Sequence, residues 1–170
     1  ERRQPVEIFA GDIVTAHHAA CRVANKFMTT PTAKDADIVV ANGYPQNRQA
    51  ITSLSWARRS LRDGGSAVLI AQHPDALSTI HYLGERWNYK GRPYWEVKEA
   101  VESPVSQAAQ IIVLAQYMQK RDRVNLPEKG VYVVHSWDQV IEQLKKLHKG
   151  DPRVAVYPYG PLQHPELELT

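Results

Sequence analysis

Short apolar runs alternate with longer segments of helical periodicity along most of the chain. The runs that predict strands lie at residues 6–10, 37–41, 66–71, 131–134 and 153–157. Apolar residues at helical spacing predict one helix that begins near Asp12, and others over about 46–62, 74–87, 104–118 and 137–147. Because strands and helices alternate at this spacing, the sequence predicts an α/β fold with parallel strands.

Turn-forming residues separate these elements and refine the prediction. Residues 42–45, Asn-Gly-Tyr-Pro, form a strong turn signal after the second run, and residues 63–65, Asp-Gly-Gly, predict a helix end. We therefore predict one domain over residues 1–170, a doubly wound, mostly parallel five-stranded Rossmann-like sheet with helices on both faces.

Composition excludes several function classes. The net charge is only +3, and basic residues are scattered among acids, so no nucleic-acid partner is expected. No apolar run approaches the ~20 residues needed to span a bilayer, so no membrane association is expected. The single cysteine, Cys21, excludes an internal disulfide and fits a reducing compartment, and its position in an apolar helix pattern predicts burial. Cytoplasmic location is the default expectation.

The start of the chain predicts a larger protein. The sequence opens on Glu1 and enters the first predicted strand within a few residues. We expect the chain to be the C-terminal part of a longer, two-domain polypeptide.

Candidate chemistry lies where each strand ends. In doubly wound sheets, ligands bind outside the carboxyl ends of the strands, at the point where the strand order reverses. The residues that follow predicted strands include His17, Gly43, Tyr44, His73, His135, Tyr159 and Gly160. The functional interpretation is a histidine-rich rim that faces a substrate or a metal. The alternative is ordinary polar side chains at loop starts, each bonded to nearby backbone, and no histidine pair has metal-ligand spacing, so no metal is assigned to this chain.

Familiar catalytic motifs are missing from the sequence. It has no G-x-G-x-x-G after a strand, no P-loop and no G-x-S-x-G elbow. The chain therefore carries no complete catalytic set of its own.

Four segments together resemble the C-terminal domain of the nickel-pincer lactate racemase family. They are Phe-Ala-Gly-Asp at residues 9–12, the run from Asp35 through the Gly-Tyr-Pro at residues 43–45, residues 61–71, and residues 149–158. Their order and spacing extend over nearly the whole chain.

The resemblance implies a function for the complete protein. An N-terminal catalytic domain would hold a nickel-pincer nucleotide and invert a 2-hydroxy acid by hydride transfer, while this domain covers the substrate. The implied partners are that N-terminal domain of the same protein and a small hydroxy acid. No cofactor is expected to bind to this chain alone.

The chain departs from the family at two positions. Members carry a Gln and a Lys three residues apart in the helix after the Gly-Tyr-Pro loop. Here those positions fall on Thr52 and Ser55 or, with a two-residue deletion, on Ala50 and Ser53. The substrate is then a larger or differently charged hydroxy acid, with Arg48, Gln49 or Arg58 as the substitute contact, or the racemase reaction has been abandoned.

The sequence thus supports two functions. The first is the substrate-covering domain of a lactate-racemase-like isomerase or epimerase, with substrate bound by Gly43, Tyr44, Gln49, His73 and His17. The second is a non-catalytic small-molecule binding or interaction module on the same fold. A flavodoxin-like nucleotide-binding domain is a weaker third, since no loop has glycines for close approach to a phosphate.

Overall fold

A parallel sheet with helices on both faces forms the centre of the fold. The computed structural model describes residues 5–46, 50, 52–72, 105–118 and 130–165. The helices within these ranges are α1 (Ile13–Met28), α2 (Thr52–Ala57) and α3 (Trp137–Leu147), with short 3₁₀ turns at Arg58–Ser60 and Gly160–Leu162. The strands are β1 (Thr29–Thr30), β2 (Ala36–Asn42), β3 (Leu61–Ile70), β4 (Gln110–Leu114), β5 (Val131–Val134), β6 (Val154–Tyr157) and β7 (His164–Pro165).

The main sheet has the strand order β5-β4-β3-β2-β6, and every neighbouring pair is parallel. From β2 the chain adds β3, β4 and β5 in one direction and then returns to place β6 on the opposite side of β2. This reversal makes the sheet doubly wound, as predicted. A second, two-stranded parallel sheet joins β1 to β7, with Thr29 opposite His164.

Alternation along the buried strands divides the core into two layers. Side chains such as Val39, Leu69 and Val113 face α2, whereas Ile38, Val68 and Ile112 face α3. Because strands with helices on both faces bury both sets of side chains, their sequences are continuous apolar runs.

Capping residues fix the starts of two helices. The Asp12 carboxylate accepts a hydrogen bond from the Thr15 backbone N–H at 3.0 Å and so caps α1. Ser136 and Gln139 form a reciprocal capping box at the start of α3. The predicted helix over 137–147 is confirmed, and so are the strands near 37–41, 131–134 and 153–157.

Three sequence predictions are wrong in the described structure. Residues 6–10 form no strand, and Val6 and Ile8 are about four-fifths exposed, at 80% and 81%. The chain over 105–118 is not a helix, because Gln110–Leu114 forms the buried strand β4. Its Ile-Ile-Val run has the continuous apolar character of a strand covered on both faces, which helical periodicity does not distinguish over so short a length.

The third wrong prediction concerns residues 63–65. Helical structure ends earlier, at Ser60, and Gly64 and Gly65 lie inside β3. The register between β2 and β3 shifts there, from Ala36 opposite Leu61 to Ile38 opposite Ser66. Gly64 takes a φ of +74°, which an irregular strand segment needs and which glycine adopts without strain. The predicted helix over 74–87 lies outside the described residues.

Within the described part of the chain, no helix has the length and apolar character that crossing a membrane requires.

The burial of the core predicts that a substitution there lowers stability more than one at an exposed position of β6. Leu69 is fully buried, so Leu69→Ala should lower the free energy of unfolding by about 2–5 kcal/mol, through lost burial and a cavity. Val156→Ala on exposed β6 should cost less than about 1 kcal/mol. Urea denaturation followed by circular dichroism measures both, and equal losses would contradict the described core.

Candidate functional site

The carboxyl ends of β2 and β6 form the candidate site, because the strand order reverses between these two neighbours. In doubly wound sheets, ligands bind outside the carboxyl ends of the strands at such a point. The register places Ala41 opposite Tyr157, so the turns after both strands begin at the same level.

The turn after β2 is held by its own residues and by β3. The Asn42 side chain accepts a hydrogen bond from the Tyr44 backbone N–H at 3.1 Å, and the Gly43 N–H donates to the Ile70 carbonyl at 2.9 Å. Gly43 is buried, and a Cβ at this position would collide with Ala50. The glycine is therefore required for close packing, and it fixes the position from which Tyr44 projects.

The turn after β6 packs against the same region. A Cβ on Gly160 would collide with the Cβ of Ser53 and lie 2.9 Å from the Asn42 carbonyl oxygen. The Gln163 amide accepts from the Tyr159 backbone N–H at 2.8 Å and donates to the Thr30 hydroxyl at 3.3 Å. The two turns and the small β1-β7 sheet thus form one packed unit.

Two tyrosines meet above this unit. The rings of Tyr44 and Tyr159 have centroids 5.9 Å apart and planes inclined at 54°. Tyr44 is half-buried, while Tyr159 is 53% exposed. Phenol groups can donate and accept hydrogen bonds, and the rings present apolar faces, so the pair can contact a small molecule with hydroxyl or carboxylate oxygens.

His135 lies at the same edge of the sheet but far from the tyrosines. It follows β5, which is three strand spacings, or about 14 Å, from β2. Its Nδ1 lies 3.1 Å from the Ala115 carbonyl oxygen, and its backbone N–H donates to the Gln139 side chain at 2.7 Å. These local bonds match the interpretation of a polar side chain at a loop start.

His17 does not follow a strand of the described structure. It is an exposed residue of α1, and residues 6–10 before the helix form no strand. Its Nε2 lies 3.5 Å from the Sγ of Cys21, which is itself exposed, so the predicted burial of Cys21 is wrong. Gln49 and His73 lie outside the described residues.

Two arginines, Arg48 and Arg58, are proposed as substitute substrate contacts. Arg58 immediately precedes β3, so it lies at the amino edge of the sheet, the length of a strand from Tyr44. Arg48 is outside the described residues.

Of the two alignments of the family Gln and Lys, one falls on Ala50 and Ser53, which are buried, with the Ser53 hydroxyl donating to the Ala50 carbonyl. The other falls on Thr52 and Ser55, which are partly buried.

Polar residues that the sequence reasoning did not assign lie at the amino edge of the sheet. Asp37 of β2 accepts hydrogen bonds from the Arg62 guanidinium at 2.6 Å and the Arg153 backbone N–H at 2.8 Å. The Arg153 bond, followed by Arg62, holds the pKa of the Asp37 carboxyl below its usual range. This carboxylate therefore joins β2 to the starts of β3 and β6.

A partly buried chain of hydrogen bonds ends at His148, the residue after α3. Gln143 donates to Gln110 at 3.1 Å, Gln110 donates to the Ser66 hydroxyl at 2.8 Å, and that hydroxyl lies 2.7 Å from His148 Nε2. Desolvation is the main cause that lowers the pKa of His148, and Arg62 adds to it against the opposite effect of Asp37. No sequence signal links these residues, since they come from β3, β4 and α3.

The described residues form no metal-binding site. Among them, no three His, Cys, Asp or Glu side chains lie together in a way that could bind an ion. The nickel group that the resemblance implies therefore does not fit this part of the chain, and no step of chemistry through it is assigned here.

Comparison with known proteins identifies a fold and no family. No protein-family model matches the chain, and no curated protein matches its sequence. Among solved structures, the chain is similar to the lactate racemase apoprotein from Thermoanaerobacterium thermosaccharolyticum, with a TM-score of 0.60 and 13% identity. The similarity covers 89% of this chain and 40% of that protein, and it is a likeness of fold.

The close contacts of Gly160 with Ser53 and Asn42 predict that a side chain at this position lowers stability. Gly160→Ala should destabilise the protein by about 1–3 kcal/mol, because the new methyl group meets Ser53 and the Asn42 backbone. Adding Ser53→Gly should restore part of that loss by removing one of the two collisions. Urea denaturation of the single and double variants checks this, and no loss in Gly160→Ala would contradict the described packing.

The lowered pKa of His148 predicts a pH dependence of stability. Below its ordinary value of 6.5, the unfolded chain takes up a proton on His148 before the folded protein does. The contribution of His148 is therefore complete above about pH 6.5 and is lost as the pH falls toward the lowered folded value. Between pH 7.5 and 5.5, His148→Gln should reduce the slope of unfolding free energy against pH. His18→Gln on exposed α1 is the control, and an equal reduction there would contradict the assignment.

Proposed function

We propose that this chain is the substrate-covering domain of a lactate-racemase-like isomerase or epimerase that acts on a 2-hydroxy acid. The observation that carries the proposal is the contact of Tyr44 with Tyr159 above Gly43 and Gly160, at the point where the strand order reverses. The likeness of fold to a lactate racemase apoprotein over 89% of the chain supports it.

In this proposal the tyrosines bind and orient the substrate. A 2-hydroxy acid presents a hydroxyl group and a carboxylate, and both accept hydrogen bonds from phenol groups. The packed turns beneath hold Tyr44 and Tyr159 in place, which limits the entropy lost when substrate binds. Gly43 contributes by allowing this packing, and Gln49, His73 and His17 remain candidate contacts.

The rest of the reaction belongs to a second domain. Val6, Ile8, Ile13 and Phe27 are each at least 71% exposed on the segment before β1. Val6, Ile8 and Ile13 lie within eight residues of one another, and exposed apolar side chains that lie close together are typical of surfaces that contact another protein. We infer that this segment packs against an N-terminal domain of the same protein, and that this other domain carries the nickel-pincer nucleotide.

A non-catalytic small-molecule binding module is the second candidate. Residues 42–46 and 158–163, which form the turns of the crevice, include no Asp, Glu, His, Lys or Arg. General acid–base catalysis needs a group that exchanges a proton near the working pH, and neither turn supplies one. This composition favours the second candidate where no other domain completes the site.

Hydroxy-acid inversion and nickel content test the proposal. The longest natural polypeptide that contains this chain should be expressed with cofactor-making enzymes and assayed with a panel of 2-hydroxy acids. We expect bound nickel and inversion of at least one acid. Tyr159→Phe should lower kcat/KM about tenfold or more, through loss of a hydrogen bond to a charged group.

Tyr132→Phe is the matched control, because Tyr132 is partly exposed on β5 at the far side of the sheet. Its kcat/KM should stay within about twofold of the wild-type value. A folded protein without nickel or inversion, which still binds a hydroxy acid in calorimetry, would contradict the isomerase and support the binding module.

A further inference from the structure

A groove of about 360 Å³ lies on the α3 face of the sheet, away from the tyrosines. Its floor is formed by Ile38 and Val40 of β2, and its walls by Ile141 of α3 and Val154 of β6. Small-molecule sites commonly have volumes of ~300–1,000 Å³ and mostly apolar linings. The groove therefore has the size and lining of a ligand site.

The groove exists because α3 does not cover the edge of the sheet. Both faces of a parallel sheet are normally covered by helices. Here α3 packs over β4 and β5, whereas Val154 and Val156 of β6 remain 49% and 59% exposed on the same face. In the described part of the chain, α3 is the sole helix that contributes to the groove lining. Apolar surface is left against water there, and an apolar occupant would gain from covering it.

Cationic and hydrogen-bonding groups lie together at one end of the groove. Lys145 and His148 both line it, and they follow one another within one turn at the end of α3. Within the described ranges, the Lys145 ammonium has no hydrogen bond or ion pair with another side chain. The nearby carboxylate of Asp37 is already bonded to Arg62 and to the Arg153 backbone.

A partly buried hydrogen-bond chain positions the His148 ring. The Ser66 hydroxyl accepts from Gln110 and lies 2.7 Å from His148 Nε2. In the tautomer in which Nε2 accepts the Ser66 proton, Nδ1 carries the ring hydrogen and is a hydrogen-bond donor. Lys145 supplies a positive charge at this end of the apolar groove, and His148 in this tautomer supplies a second donor.

We propose that this groove binds an anion with an apolar tail, of the class of medium-chain carboxylic acids. The carboxylate contacts Lys145 and His148, and the tail lies along Val40 and Ile141 toward Trp137. The distance from Trp137 to His148 along α3 is about 16 Å, which suits an extended chain of this class.

Calorimetric titration of the 170-residue chain with decanoate, below its micellar concentration, tests the proposal. We expect one decanoate per chain. Decyltrimethylammonium has the same tail length and the opposite charge, and it should bind at least tenfold more weakly. Equal affinity for the two compounds, or no binding of decanoate, would overturn the proposal.

Two charge-matched variants locate the anion. Lys145→Glu should weaken decanoate binding tenfold or more, because it removes a charged partner. Lys146→Glu makes the same charge change one residue later, where the ammonium donates to Gln143 at 2.8 Å and does not line the groove. Its affinity should stay within twofold of wild type. Equal weakening in both variants would place the anion elsewhere and overturn the proposal.

Sedimentation velocity tests a second copy of this chain as the occupant. If the protein is a dimer that Val154→Glu converts to a monomer, and decanoate does not bind to the dimer, the groove is a protein interface and the proposal is overturned. A monomer that binds decanoate, and loses that binding in Val154→Glu, supports it.

Discussion

Strand β2 hydrogen-bonds to a neighbour on each edge, and the rest of the structure depends on this double pairing. Its register with β3 and with β6 brings the carboxyl ends of all three strands to one level. Because the chain leaves β2 toward β3 and returns to it at β6, the strand order reverses there, and the turns after β2 and β6 pack together at the carboxyl edge. The candidate site is a consequence of strand order more than of any single residue.

The pairing is stabilised differently at its two ends. At the amino end, one carboxylate, Asp37, bonds to side chain and backbone groups from β3 and from the residue before β6. At the carboxyl end, Gly43 and Gly160 allow backbone and small side chains to approach within contact distance. The bonds of the Asp37 carboxylate therefore stabilise the amino edge. At the carboxyl edge, Gly43 and Gly160 have no side chains and so permit close packing.

The two proposed sites lie at different parts of the sheet. The tyrosine pair lies where β2 and β6 end, whereas the apolar groove lies beside α3, over the floor that Ile38 and Val40 provide. Both exist because β6 is an edge strand: its end is free to form a turn beside β2, and its outer face is left uncovered by α3. The edge position of β6 therefore underlies both the tyrosine pair and the apolar groove beside α3.

The likeness to a lactate racemase apoprotein is a likeness of fold. It covers most of this chain, which corresponds to 40% of the other protein. The turns after β2 and β6, residues 42–46 and 158–163, carry phenol and amide groups and no charged side chain. This edge of the described structure therefore offers a ligand hydrogen bonds and aromatic surface.

The sequence by itself determined the fold class, the strands near 37–41 and 131–134, and helix α3, because continuous apolar runs and apolar residues at helical spacing are local signals. It also marked Gly43 and Tyr44 through their turn. It misassigned 110–114, since a buried strand of five residues has no periodicity that separates it from a helix. Tertiary structure alone decided that Tyr159 contacts Tyr44, that His135 follows a strand three positions from β2, and that Ser66 reaches His148. Those contacts depend on strand order, which arises from long-range pairing and leaves no mark within any one segment.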